Sequence, residues 1–493
     1  MKQAPPHIAI LPSPGVSHQI PFAELARRLV LHHGVHVTII ICSSTDHPPS
    51  DATKAVVESL PTPHTRTVFL PPVSFDDLLP TDSGPGAKVA LTMSRSLPSI
   101  HHVLKSLAST PALTSTSTNS SPPPLVAVFA DPFAPDVLDI AKGLDLSTYV
   151  FFPSNAMALS FFLHLPKLDE IAAPYDLLKD LPEPVKLPGC PPLRGGDLFG
   201  SIQDRRSNTY KRSVQTSKRF VSDEGIKGFV VNSFMDVESE VIKALQEKKA
   251  GETVIYPVGP LVQTGQNHEV SECLTWLDNQ PRGSVLYVSF GSGGTLSSDQ
   301  ITELAFGLEM SGQRFLWVVR RPNNESANAE YLNSGPKGPL EASDFLPNGF
   351  LKRTKGRGLA VPFWAPQAKV LGHGSTGGFL SHCGWNSTLE SIVCGVPLIA
   401  WPLYAEQKMN AVVLVESLKV ALRPKAGEDG LIRREEIAEV IKALMEDTSE
   451  EGRIVRNHMK DLKDSATKAL SADGSSTRAL FELASTLKSM TAN

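Results

Sequence analysis

The sequence predicts an α/β protein in two halves, each a parallel sheet with helices on both faces. Short, continuously apolar runs rich in Val, Ile and Phe recur along the 493 residues and alternate with longer amphipathic stretches. Strands apolar on both faces belong to parallel sheets buried by crossover helices. The length suits two large domains. Hydrophobic residues make up 41% of the chain against 20% charged, which is enough to fill sizeable cores and far from a disordered composition.

In the first half the expected strands are residues 7–11, 35–42, 125–130, 148–152 and 228–232, bounded by Gly, Pro or Asp. After the first strand, a helix is expected from Pro21, where proline suits the first helical position, through Phe22, Leu25, Ala26, Leu29 and Val30 to Gly34. Residues 253–281, with Pro257, Gly259, Pro260 and the polar run 263–272, read as an interdomain linker. The second half repeats the pattern with strands at 285–290, 315–319, 359–362, 378–381 and 397–401. Residues 114–124 and 322–343, dense in Ser, Thr, Asn, Gly and Pro, read as surface loops.

Composition narrows the function. Lys and Arg total 47 against 51 Asp and Glu, a net charge of -4, so no cationic field draws nucleic acid or anionic lipid, and neither partner is expected. No apolar run nears the roughly 18 residues of a membrane span, and the apolar segment 8–11 is too short for a secretory signal. Five scattered cysteines without CxxC spacing argue against a disulfide framework or a zinc site. A cytoplasmic protein is expected. HExxH, GxSxG and the P-loop are all missing, and the Gly-rich turn 291–294 does not match GxGxxG.

Two residues of the first half sit where α/β sheets bind ligands, at the carboxyl ends of strands: His18 and Asp131. As a pair, the carboxylate would fix the imidazole tautomer and leave Nε2 to take a proton from a substrate hydroxyl. Taken singly, His18 also fits a surface role, and Asp131 a turn or helix cap. Residues 364–407 read as loop, strand, turn, helix, strand, loop, the helix being 388–394 closed by Gly395. The turn HCGWNS brings backbone N–H groups, His382, Asn386 and Ser387 to a helix N-terminus, an anion site suited to a diphosphate. The turn Gly291, Ser292, Gly293, Gly294 follows another strand end and approaches the same phosphates. Trp364 offers a flat face to a base, Glu390 accepts from ribose, and Glu406 and Gln407 hold sugar hydroxyls. A buried Trp and solvated polar loops are the plainer alternative.

The segment 364–407 resembles the plant secondary product glycosyltransferase signature of the family 1 UDP-sugar transferases, with HCGWNS, the downstream Glu390 and the closing Gln407 in register. GxxHxxP around His18 and FGSGGTL around Ser292 extend the likeness, which is strongest toward phenol glucosyltransferases of the hydroquinone type. The resemblance implies a GT-B fold: residues 1–250 as the acceptor-binding domain, 251–470 as the UDP-sugar-binding domain, and 471–493 as a helix returning to the first. It implies an inverting transfer from UDP-glucose to a small aromatic acceptor, with His18 as base and Asp131 as its partner, in an expected monomer. Trp364 would stack on uracil, Gln367 would help hold the nucleoside and Glu390 would bind the ribose, with Ala365 among the UDP-sugar-binding residues. Ser292, His382, Asn386 and Ser387 would bind the diphosphate, and Trp385, Glu406 and Gln407 would face the sugar. Glu406 stands where many members carry Asp. With no DxD in the chain, neither metal nor cofactor is expected. Phe133, Phe151, Phe152 and the stretch 159–163 are candidate acceptor walls, or simply core. Indoxyl, monolignols, flavonoids and xenobiotic phenols or anilines are rival acceptors, and a non-catalytic sugar-nucleotide-binding protein is the rival class.

Overall fold

The computed structural model describes residues 5–77, 84–109, 123–247, 253–263, 271–328, 341–446 and 448–491. The expected loops lie largely outside these residues, 114–124 except for its last two positions and 322–343 except for its two ends, as does most of the polar run 263–272.

The chain builds two parallel sheets. The first holds β1 (His7–Leu11), β2 (His36–Ile41), β3 (Thr65–Phe69), β4 (Leu125–Ala130), β5 (Ser147–Phe152), β6 (Ile226–Val231) and β7 (Val254–Pro257), in the order β3-β2-β1-β4-β5-β6-β7. The second holds β8 (Val285–Ser289), β9 (Arg314–Val319), β10 (Gly358–Pro362), β11 (Thr376–Ser381), β12 (Leu398–Ala400) and β13 (Ala421–Leu422), in the order β10-β9-β8-β11-β12-β13. In each sheet the order reverses beside the first strand, β1 or β8, and ligand crevices of doubly wound sheets form at that switch point.

Three strands escape the sequence pattern. β3, with Thr65, Arg66 and Thr67, lies at the sheet edge, where a strand is not obliged to be apolar on both faces. β13 has only two residues. β7 lies inside the stretch read as a linker: it pairs with β6 from Gly228↔Val254 to Val231↔Pro257, so the chain leaves the first sheet only after Pro257.

Two helix starts also differ from the reading. The first helix is Val16–His33, N-capped by Gly15 at φ 112, and Pro21 lies inside it. His18 is therefore in a helical first turn, not in the loop before it. The helix over the phosphate turn is Trp385–Cys394, so half of HCGWNS is already helical. Both starts follow a glycine without a side-chain cap, and so lack the usual Ser/Thr/Asp/Asn signal.

The helix Ser475–Ser489 crosses back to the first sheet, where Leu480, Leu483 and Leu487 join a core cluster with Phe22, Leu25 and Leu29. A further cluster spans the two halves: Met157, Phe161 and Leu165 pack with Met409, Val412 and Val413. Among the described residues no helix is long and apolar enough to cross a membrane. The five cysteines are free thiols.

Candidate active site

A cleft of about 1600 Å³ runs between the carboxyl ends of the two sheets. On its first-domain wall, β1 ends at Leu11 and Gly15 turns the chain into the helix that carries His18. The neighbouring strand β4 delivers Asp131, 1% exposed. His18 Nδ1 lies 2.7 Å from Asp131 Oδ2. The same carboxylate accepts from Ser13 N at 3.3 Å and from Phe133 N at 3.0 Å, so Asp131 is a turn residue and the histidine's partner at once. With Nδ1–H donated to the carboxylate, Nε2 is the nitrogen left for the cleft. Burial pulls the His18 pKa down, yet the charge and hydrogen bond of Asp131, supported by the charge of Glu406, leave it raised above the usual value.

Phe133 and Phe152 line the cleft beside His18, with Met93, Leu97, Phe162 and Phe199 continuing the apolar wall. Phe133 is 42% exposed, and its ring centroid is 5.7 Å from that of His18. Phe151 is not part of this wall. Strand alternation turns it to the opposite face of the sheet, where it meets Phe22 edge-on at 4.6 Å in the core.

The second-domain wall is an anion cradle. Thr388 N, bonded to Gly384 O, is the first N–H to enter the helix ladder, and Gly384 provides no side-chain cap. The N–H groups of Trp385, Asn386 and Ser387 therefore project from the helix N-terminus into the cleft they line. His382 lies beside them, 7% exposed. Its burial, and then the charge of Arg320, lower its pKa to about 4, so it is a neutral hydrogen-bonding group at physiological pH. Two glycines make room for it: a Cβ on Gly291 or on Gly384 would stand 2.5 or 2.4 Å from its Nε2. Ser292 follows Gly291 on the exposed rim.

Trp364, 65% exposed, lines the far end with the buried Ala365 behind it. Gln367 Nε2 donates to Ser387 Oγ at 2.8 Å and to Glu390 Oε2 at 2.6 Å, which joins three of the sequence-predicted residues in one hydrogen-bonded group. Burial pushes the Glu390 carboxyl up to about 7. Gln407 Oε1 accepts from Leu403 N and Tyr404 N, both at 2.9 Å, and so fixes the loop after β12. Glu406 Oε1 accepts from Ser154 Oγ of the opposite domain at 3.1 Å. Trp385 borders the cleft, but its indole N–H is committed to Asn232 O at 2.6 Å. All the predicted donor residues and His18 thus line one cleft, with Asp131 behind His18.

Sequence reading missed the groups that tie the two walls together. Asn155 caps the helix Ala156–Ile171 through Ala158 N and donates to Asn410 Oδ1 at 2.7 Å. Asn410 in turn donates to the carbonyl of Cys383 at 2.9 Å, and Cys383 sits at φ 63 within the phosphate turn. Asn155, preceding an apolar helical run, carries a readable cap signal; nothing local marks Asn410. Among the described residues no group of three or more His, Cys, Asp or Glu is arranged to hold a metal ion.

Residues 265–457 match the family described as UDP-glucoronosyl and UDP-glucosyl transferase. The chain is 53% identical to the hydroquinone glucosyltransferase of Rauvolfia serpentina over 482 residues, 97% of each chain. It is 51% identical to UDP-glycosyltransferase 72B1 of Arabidopsis thaliana over 96% of this chain and 95% of that one. Among solved structures, a UDP-glucosyltransferase from Polygonum tinctorium capable of glucosylating indoxyl, in complex with 3,4-dichloroaniline, superposes with a TM-score of 0.87 at 47% identity, covering 99% of this chain and 100% of that chain. Phytolacca americana UGT2, complexed with UDP-2-fluoro-glucose and pterostilbene, gives a TM-score of 0.85 at 45% identity, covering 98% and 99%.

The tight fit around His382 has a measurable consequence. Gly384→Ala is expected to lower the unfolding free energy by about 1–3 kcal/mol through overpacking. Gly291→Ala is expected to lose roughly 1 kcal/mol more, since Gly291 also holds φ 74. Urea unfolding measures both, and wild-type midpoints in the two variants would remove the close-approach argument.

Proposed function

The chain belongs to the UDP-glycosyltransferase family, and from that premise we propose that it transfers glucose from UDP-glucose to the hydroxyl of a small phenolic acceptor, with inversion at the anomeric carbon and His18 as general base. The observation that carries this reading is the placement of the His18–Asp131 pair, 2.7 Å apart, in the same cleft as the helix N-terminus at Trp385. A proton acceptor and an anion cradle facing one space are what a displacement of UDP by an oxygen nucleophile requires.

In this reading the acceptor hydroxyl gives its proton to His18 Nε2 as its oxygen forms a bond to the anomeric carbon. The bond from that carbon to the diphosphate oxygen breaks, and its electron pair leaves with UDP. Asp131 holds the imidazole by Nδ1 and stabilises the imidazolium that forms. UDP departs toward the N–H groups of the Trp385 helix, with Ser292, neutral His382, Asn386 and Ser387 around the diphosphate. Trp364 stacks on uracil, with Ala365 and Gln367 beside the nucleoside and Glu390 on the ribose. Trp385, Glu406 and Gln407 surround the sugar. Trp385 acts as a wall, since its N–H is already bonded to Asn232.

A phenol, with a pKa near 10 as in tyrosine, gives up its proton to a single histidine far more readily than an alkyl alcohol does. The apolar wall of Phe133, Phe152, Phe162 and Phe199 suits an aromatic ring. Support for hydroquinone-like acceptors comes from the Rauvolfia relative. The Polygonum relative favours indoxyl as a second acceptor for the same chemistry.

Three measurements test the reading. His18→Ala should lower kcat by about 10²–10⁴-fold, the usual worth of a general base, while UDP still binds. UDP release from UDP-glucose with hydroquinone, indoxyl and a flavonol reports it, and near-normal turnover would refute the base. Second, kcat/KM should fall as the pH drops through a His18 pKa that Asp131, and behind it Glu406, hold above the usual histidine value. Asp131→Asn removes the nearer charge, so the acidic limb should move to lower pH while the plateau drops; an unmoved limb would break the pairing. Third, Glu390→Ala should raise the KM for UDP-glucose with a smaller change in kcat, and an unchanged KM would take Glu390 away from the donor.

A further inference from the structure

The helix that carries His18 contains a proline at its sixth position, Pro21. An α-helix would bring the N–H of that position to the carbonyl four residues earlier, which is that of Ser17. Proline has no N–H, so this intrahelical donor does not exist. The Ser17 carbonyl instead accepts from Asn386 Nδ2 of the opposite domain at 2.6 Å, across 369 residues of sequence. Ser17 and His18 share the peptide unit involved: its N–H end, on His18, donates to Gly15 O at 3.1 Å, and its carbonyl end receives Asn386. The backbone of the base is thereby held from both domains, while Asp131 holds the side chain.

We propose that Pro21 is a positioning residue: by withholding the helix's own donor, it leaves the Ser17 carbonyl to Asn386 and so couples the placement of His18 to the position of the second domain. The inference rests on the reading of His18 as the base. It gives the final proline of GxxHxxP a task in the cleft although Pro21 is buried and does not border it. It also gives Asn386, on the cradle's helix, a second task beside the diphosphate: a bond to the helix of the base. Misplacement of a catalytic group by a fraction of an ångström to 1 Å is enough to slow a reaction measurably.

The test is a double-mutant cycle on the full chain, read by kcat for UDP release, the Kd for UDP from calorimetry, and Tm. Pro21→Ala removes the ring that crowds the Ser17 carbonyl and supplies an N–H that draws this carbonyl back along the helix axis, away from Asn386; alanine is also the better helix former, so Tm should hold or rise. The expected result is a fall in kcat of about five- to tenfold, with the UDP Kd within about twofold of wild type. In an Asn386→Ala background the same substitution should change kcat by less than about twofold, because the bond it competes with is already gone. A kcat within twofold of wild type for Pro21→Ala, or an equal fall in both backgrounds, would overturn the inference. If the alanine variant does not fold, Pro21→Leu supplies the same N–H with a larger apolar side chain. Wild-type protein that releases no UDP with any acceptor would overturn the functional reading and this inference with it. Normal wild-type turnover with an unmoved Pro21→Ala would overturn this inference alone.

Discussion

Two domains enclose a working cleft only if their separation is fixed, and here a buried chain of hydrogen bonds fixes it. Asn155 and Asn410 are both 0% exposed, and an amide so buried costs stability unless every group finds a partner. Asn155 uses its oxygen to cap its own helix and its nitrogen to reach Asn410, which passes the bond to the carbonyl of Cys383. Each bond is directional, so the chain sets position and orientation together. It ends on a non-glycine residue at φ 63, a conformation that persists only where its surroundings hold it. That residue stands between His382 and the glycine that opens the phosphate helix. The cradle is thus aligned against a helix cap of the first domain rather than by its own loop.

The apolar contacts around this chain give it a dry setting. Met157, Phe161 and Leu165 from one side and Met409, Val412 and Val413 from the other bury the junction, where water would otherwise compete for the amides. Glu238 completes the helix end beside Asn155: it accepts from Ala156 N and Met157 N at 2.8 Å each, and from the hydroxyl of Ser233. Burial raises its pKa against the pull of those bonds, so this carboxyl is part of the framework and lies away from the cleft lining.

How much of this was legible follows from how local each signal is. Most of the second-domain wall is contiguous: strand, turn and helix follow one another in 364–407, so the residues around the HCGWNS turn could be placed together from sequence alone. The apolar first-domain wall is assembled from side chains far apart in sequence, and an apolar residue beside a cleft looks the same as one in a core. Phe151 and Phe152 differ only in strand parity, and a shift of one residue moves a side chain to the opposite face. Pro21 misplaced the helix start because proline inside a helix is rare enough that the first position was the better reading. Asn155 and Asn410, 255 residues apart, carry no pattern that pairs them.

The two histidines at the centre of the cleft show how one residue type takes two opposed states. His382 is buried and His18 half-buried, and the loss of solvation alone drives either toward the neutral form. Among the described residues no carboxylate offsets the burial of His382, and a guanidinium lies nearby, so it stays neutral, able to donate a hydrogen bond without carrying a charge. His18 has a buried aspartate on Nδ1, which returns to the charged form what burial takes away. An imidazole in that setting gains affinity for a proton at Nε2 and keeps its tautomer fixed meanwhile, which are the two properties a base needs beside a substrate hydroxyl. The contrast between the two histidines is therefore set by one carboxylate, which stands beside His18 and, among the described residues, has no counterpart beside His382.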